Sequence, residues 1–122
     1  MINGAHVLLH SPDAAATRDF IRDVLGFAHV DSGDGWLIFA LPPGELGIHP
    51  AAKAGGEFRT THELYLMCDD IEATVAELRG KGVEFTTGIS DEGWGLLTTI
   101  KVPGGGELGL YEPRHAVAKD LR

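Results

Sequence analysis

Residues 106–113 read GELGLYEP, and residues 44–50 read GELGIHP. One short chain thus writes Gly-Glu-Leu-Gly and a branched apolar residue twice, and the fold turns on whether the two stretches close two copies of one unit. An ordered series of matches says that they do. Leu9, Asp13, Ala16, Thr17 and Arg22 recur as Leu66, Asp70, Ala73, Thr74 and Arg79 at a constant offset of 57, and Gly35-Trp36 recurs as Gly93-Trp94 at 58. The opening motif repeats at 62, so the offset grows only where turns intervene, as expected of an internal duplication. A half of about 60 residues is marginal alone, so the halves are expected to share one core about a pseudo-twofold axis.

Each half reads as strand, helix and three strands. In the first, GAHVLLH (4–10) is a β-rich run that stops at SPD, where Ser11 can cap a helix, Pro12 suits its first turn and Asp13 complements the dipole. AAATRDFIRDVLG spaces Ala16, Phe20 and Val24 four apart, with Thr17 and Ile21 beside them, and ends at Gly26. FAHVD, WLIFAL and ELGIH follow as strands separated by SGDG and PPG turns. The second half repeats the order with ELYLMC, a helix in DDIEATVAELRGKG capped by Asp69 or Asp70, then VEFTT, GWGLLTTIKV, a PGG turn and GELGLY. The expected architecture is α+β: one domain over 1–122, with a first βαβββ module at about 4–50 and a second at about 62–113. The two modules form a curved mixed sheet around a cleft, with helices on the outer face. The polar tail 114–122 reads as a frayed or packing extension.

Composition narrows the function. With 43% apolar and 23% charged residues in 122, the chain is of ordinary globular make-up. A net charge of −8 argues against nucleic acid or an anionic membrane as partner and suits a cationic small molecule or a merely soluble surface. Cys68 is the single cysteine, in an apolar run, which suits a buried thiol in a reducing cytoplasm. No run approaches the ~20 apolar residues of a membrane-spanning helix, and no secretory leader is evident at the N-terminus. The expected location is cytoplasmic.

Period-two alternation then sorts the side chains. Val7 and Leu9, Leu46 and Ile48, Leu64, Leu66 and Cys68, and Leu108 and Leu110 make one apolar face per strand, to be covered by the helices. The opposite faces collect His6, Leu8, His10, Glu45, Gly47, His49, Glu63, Tyr65, Met67, Glu107, Gly109 and Tyr111. Apolar walls with a few convergent polar groups suit a small-molecule cleft. Trp36 and Trp94, after equivalent glycines, are candidates to stack on a planar or cationic ligand, or to serve as core or dimer contacts.

With AHVLLHSPD, FIRDVLGF and CDDIEATVAELRGKGVEF in two βαβββ modules, the chain resembles the vicinal-oxygen-chelate superfamily from residue 4 to about 113. That superfamily includes glyoxalase, bleomycin-resistance and extradiol-dioxygenase proteins. The resemblance implies a homodimer and a small-molecule ligand, and in metal-dependent members a divalent ion (Fe, Mn, Ni, Co or Zn) held from the first and last strand of each module. Those positions fall on His6, Gly47, Glu63 and Gly109, and the two glycines offer no side chain. His49 and Tyr111 lie two residues along the same strand faces, so His6, Glu63 and His49 form the alternative 2-His-1-carboxylate set. The glycines mark either a place for close approach by a ring or ligand, or hairpin twist kept by duplication.

The leading expectation is a binding protein, lacking an intact four-ligand metal site, that sequesters an aromatic or cationic compound. The alternative is a metal-dependent lyase, isomerase or dioxygenase acting on vicinal oxygens, with Glu63 and His6 as catalytic candidates. A third reading is metal-free acid–base chemistry by His6 with Glu63.

Overall fold

The computed structural model describes residues 7–9, 11–45, 53–54, 57–58 (backbone only for these two pairs), 63–104, 106–117 and 119–121. Its element order is α1 (Ala14–Phe20) continuing into a π-helical turn (Ile21–Leu25), β1 (His29–Asp31), β2 (Leu37–Phe39), β3 (Lys53–Ala54), β4 (Glu57–Phe58), β5 (Tyr65–Met67), α2 (Ile71–Gly80), β6 (Ser90–Asp91), β7 (Gly95–Val102) and β8 (Gly106–Pro113). The architecture is α+β with open sheets. No helix among the described residues is long and apolar enough to cross a membrane.

Both helices start by one device. The carboxylates of Asp13 and Asp70 accept the third amide of their helices, Ala16 N–H at 3.1 Å and Ala73 N–H at 3.0 Å. The cap of α1 is therefore Asp13 and not Ser11. Ser11 lies too early, and its hydroxyl accepts the Asp13 N–H at 3.1 Å instead. Gly26, at φ 71°, supplies the left-handed residue that ends the first helical segment.

The second half builds the main sheet, in the order β5-β8-β7-β6. β7 and β8 pair antiparallel over their whole length through the tight Pro103-Gly104 turn, and β5 pairs parallel to β8. One face of this sheet is apolar. Ile100, Val102, Leu108 and Leu110 meet Ile71, Val75 and Leu78 of α2, and also Phe20 and Ile21 from the first half. Both helices thus cover the same face, and Leu64, Leu66 and Cys68 pack against its margin. VEFTT, expected as a strand, runs beside β7 with one isolated bridge, Phe85 to Ile100, and hydrogen bonds from Thr86 N–H to Thr99 O and from Lys101 N–H to Glu84 O.

Among the described residues, the first half is paired less extensively. β1 and β2 form an antiparallel hairpin of three residue pairs, and β3 and β4, in a stretch the sequence left unassigned, form a two-pair hairpin. Val7, Leu8 and Leu9 alternate as a strand should, yet they lie in no ladder among the described residues and are 46–67% exposed. The last-strand residues 46–49, including Gly47 and His49, lie outside the described residues, as do His6 and His10.

One polar contact joins the halves across the helix-covered face. The buried Thr17 hydroxyl donates to the Pro103 carbonyl at 2.7 Å and sits 2.9 Å from the Ser11 hydroxyl. Gly104 makes room for this contact: its φ is +104°, and a β-carbon there would crowd the Thr17 hydroxyl at 2.9 Å and the Asp13 carbonyl at 3.0 Å. Gly104→Ala is expected to cost about 1–3 kcal/mol in urea unfolding, from strain and overpacking together. Gly88→Ala, where nothing lies within 4 Å, serves as the reference. Equal midpoints for the two variants would show that the turn does not dock rigidly.

Candidate functional site

The sheet face opposite the helices carries the site, and the β5-β8 register builds it. Parallel pairing sets Tyr65 beside Gly109 and Met67 beside Tyr111. The Tyr65 ring lies against Gly109, where a β-carbon would overlap the Cδ1–Cε1 edge of the ring. The glycine thus accommodates a ring, and that ring is the protein's own. Gly95 repeats the device one strand away: a β-carbon there would meet Glu112 O at 2.8 Å and the edge of the Tyr111 ring at 3.1 Å.

Three aromatic rings converge as a result. Tyr111 meets Tyr65 at 6.1 Å between centroids and 89°, and Trp94 at 5.4 Å and 75°, both edge-to-face arrangements that the ring quadrupoles favour. His115, from the tail, stacks on Tyr111 at 5.8 Å and 29°. Tyr111 is therefore only 8% exposed, although no helix covers it.

Carboxylates border the cluster. The Tyr65 hydroxyl donates to Glu63 at 2.9 Å, and the Tyr111 hydroxyl lies 3.1 Å from His115 Nε2. Glu45 reaches in from the first half, placing Oε1 3.6 Å from His115 Nε2 while Oε2 accepts the Lys119 N–H at 3.0 Å. The tail is thus a packed extension that ties the end of β8 to the first module. Accepting the phenolic proton raises the cost of losing it, so the Glu63 hydrogen bond, with burial and the Glu63 charge behind it, pushes the Tyr65 phenol upward. Burial, then the Glu45 charge, pushes Tyr111 upward.

The two tryptophans part company. Trp94 joins the cluster, whereas Trp36 lies under the Arg18 guanidinium at 4.5 Å and is 61% exposed. The residue equivalent to Arg18 in the second half is Val75, buried in the core, so α2 offers Trp94 no cation from that position. Leu8 is exposed, and Met67, on the edge strand, lines a different cavity of about 240 Å³ beside Cys68, Val24 and Leu78. Sequence reasoning placed Glu45 on the site face but missed His115, which no strand alternation predicts, and Gly95.

The superfamily's metal set does not fit the described residues. Gly109 has no ligand atom and its side-chain space is filled by Tyr65, while Glu63 is engaged by the Tyr65 hydroxyl. Among the described residues, no three His, Cys, Asp or Glu side chains converge.

The sequence profile of the Glyoxalase/Bleomycin resistance protein/Dioxygenase superfamily matches residues 5–113. Three solved structures illustrate the likeness. TnmS3, an antibiotic binding protein from Streptomyces sp. CB03234, is 26% identical with a TM-score of 0.61, the match covering 93% of this chain and 98% of that one. A glyoxalase/bleomycin resistance protein from the same Streptomyces is 27% identical, with a TM-score of 0.52 over 81% and 90% of the two chains. Lactoylglutathione lyase from Agrobacterium tumefaciens, at 16% identity, TM-score 0.61 and 90% and 92% coverage, shares the fold. No functionally curated protein shows significant similarity to the chain.

Two outcomes are expected. Gly109→Ala destabilises by about 1–3 kcal/mol because the Tyr65 ring must move, and the loss largely vanishes in a Tyr65→Ala background. Additive losses in urea titrations would place the ring elsewhere. For pH, both phenols titrate above the ordinary 10.0 in the folded state. Stability present below pH 10 is then lost as pH climbs through the folded values, because the unfolded chain releases those protons first. In an ultraviolet titration Glu63→Gln brings the Tyr65 transition down toward 10.0, and an unmoved transition would refute the assignment.

Proposed function

The chain belongs to the Glyoxalase/Bleomycin resistance protein/Dioxygenase superfamily, and from that premise we propose that it is a small-molecule-binding protein that sequesters an aromatic or cationic compound at the Tyr65–Tyr111–Trp94 face. The observation that carries this reading is the use of Gly109. Where a metal-dependent relative needs a ligand, this chain has a glycine under an aromatic ring. A position that would hold an ion is used to assemble an aromatic surface, and such a surface binds planar rings by stacking and cations through its negative faces. Glu63 and Glu45 at its border and a net charge of −8 favour a positively charged ligand. The likeness to an antibiotic binding protein, over nearly the full length of both chains, supports the same class.

An enzyme working through His6, Glu63 and His49 has less in its favour. The Glu63 carboxylate already holds the Tyr65 hydroxyl.

The protein in this reading is a homodimer. Val7, Leu8, Leu9, Val30 and Ile38 are 37–67% exposed, and among the described residues β5 is an edge strand of the main sheet. A second copy would cover apolar surface and edge together.

The test is a fluorescence titration in a Trp36→Phe background, which leaves Trp94 as the reporter, against a panel of planar aromatic and cationic antibiotics. Light scattering on the same samples reads the mass. At least one compound is expected to quench Trp94 with micromolar affinity, and Tyr111→Ala to weaken it at least tenfold, about 1.4 kcal/mol. The expected mass is twice 13.0 kDa. Failure of every compound to bind below millimolar would overturn the binding reading, and a 13.0 kDa particle the dimer.

A further inference from the structure

The geometry points to a metal-binding site that the superfamily's four positions do not include, formed by Glu45, Tyr111 and His115 where the tail crosses the end of the aromatic face. It does not rest on the proposed ligand class, because its donors stand whether or not an aromatic compound binds beside them.

The first argument concerns the imidazole. His115 Nδ1 lies 2.8 Å from the Ala116 carbonyl, which can only accept, so Nδ1 carries the hydrogen, and in the neutral ring Nε2 carries the lone pair. A ring nitrogen fixed by a backbone carbonyl, with the other nitrogen presented to the site, is the usual arrangement of a metal-binding histidine. Nε2 lies 3.1 Å from the Tyr111 hydroxyl, within hydrogen-bond distance, and 3.6 Å from Glu45 Oε1.

The spacing is the second argument. With metal–ligand bonds of about 2.1 Å, neighbouring donors stand about 3.0 Å apart around an octahedral ion and about 3.4 Å around a tetrahedral one. The separations of 3.1 and 3.6 Å lie close to that range, so an ion could enter with small side-chain movements.

The third argument is the support around the donors. Lys119 N–H holds Glu45 Oε2 at 3.0 Å, which orients the carboxylate, and Tyr111 is fixed between Trp94 and Tyr65. Lys119 Nζ is turned to Asp120 at 3.1 Å and Arg114 to Asp91 at 4.0 Å. One nitrogen and two oxygen donors suit a borderline or hard ion such as Zn²⁺ or Fe³⁺. Entry of the ion breaks the Tyr111–His115 hydrogen bond and releases the phenolic proton to solvent. Three protein donors leave further positions for water or for the oxygens of a ligand.

The experiment uses the full chain stripped of metal with chelator. Zn²⁺ is titrated calorimetrically into wild type, His115→Ala, Glu45→Gln, His29→Ala and His6→Ala. Fe³⁺ supplied as its nitrilotriacetate is titrated into wild type and Tyr111→Phe while visible absorbance is recorded. The expected results are one equivalent of Zn²⁺, weakened at least a hundredfold by His115→Ala and at least tenfold by Glu45→Gln, and unchanged in His29→Ala and His6→Ala. An iron–phenolate charge-transfer band should appear in wild type and be absent in Tyr111→Phe. Zn²⁺ binding that survives His115→Ala but is lost in His6→Ala, a phenolate band retained in Tyr111→Phe, or no binding of either ion would each overturn the site.

Discussion

The register of β5 against β8 governs the open face of this protein. Parallel pairing sets Tyr65 opposite Gly109 and Met67 opposite Tyr111, and from that one alignment the rest follows. A side chain on residue 109 would occupy the space that the Tyr65 ring takes, and without that ring Tyr111 would lose one of its edge-to-face neighbours. Period two then dictates the other face. If Gly109 and Tyr111 point away from the helices, Leu108 and Leu110 must point toward them, where they are 2–3% exposed. A slip of one residue would bury the tyrosines against α2 and expose the leucines. The apolar core and the aromatic site are thus two readings of one register.

The duplicated halves keep their local chemistry and diverge in their long-range contacts. Asp13 and Asp70 cap their helices alike, and both threonines four residues later set a hydroxyl near the capping carbonyl, at 3.2 and 2.7 Å. Thr17 alone also reaches across to Pro103, which draws the first helix onto the sheet of the second module. Phe20 and Ile21 then bury where a helix of a free-standing first module would have covered its own strands.

What the sequence disclosed and what it hid divide along the same line. Helix limits, the β7-β8 hairpin and the apolar face were legible because each rests on contacts within a few residues or on a simple period. Ser11 misled because serine before proline is a good cap in isolation, and only the observed start at Ala14 shows that Asp13 is placed to reach the third amide. Gly109 was legible as a point of close approach, but not the identity of what approaches, which depends on strand pairing across 44 residues from Tyr65. His115 was hidden more deeply. It sits in a polar tail with no periodicity, and its partner Glu45 lies 70 residues away in the other module.

The tail also sets a condition on anything that binds at Tyr111. Its phenol is 8% exposed and has its hydroxyl within hydrogen-bond distance of His115 Nε2, so a molecule that replaces the imidazole must match the stacking area and offer a hydrogen-bond partner as well. A purely hydrocarbon ring would leave a buried hydroxyl unpaired, at a cost of about 1–3 kcal/mol that offsets much of the gain from burying the ring. A ring bearing a carbonyl, a basic nitrogen or a neighbouring oxygen avoids that cost. Glu45 applies the complementary condition, since a carboxylate deprived of His115 is better matched by a cation than by a neutral group. Under the proposed binding function, selection at this face would come from the two polar groups that must stay paired, while the aromatic rings around them would supply area to any planar molecule.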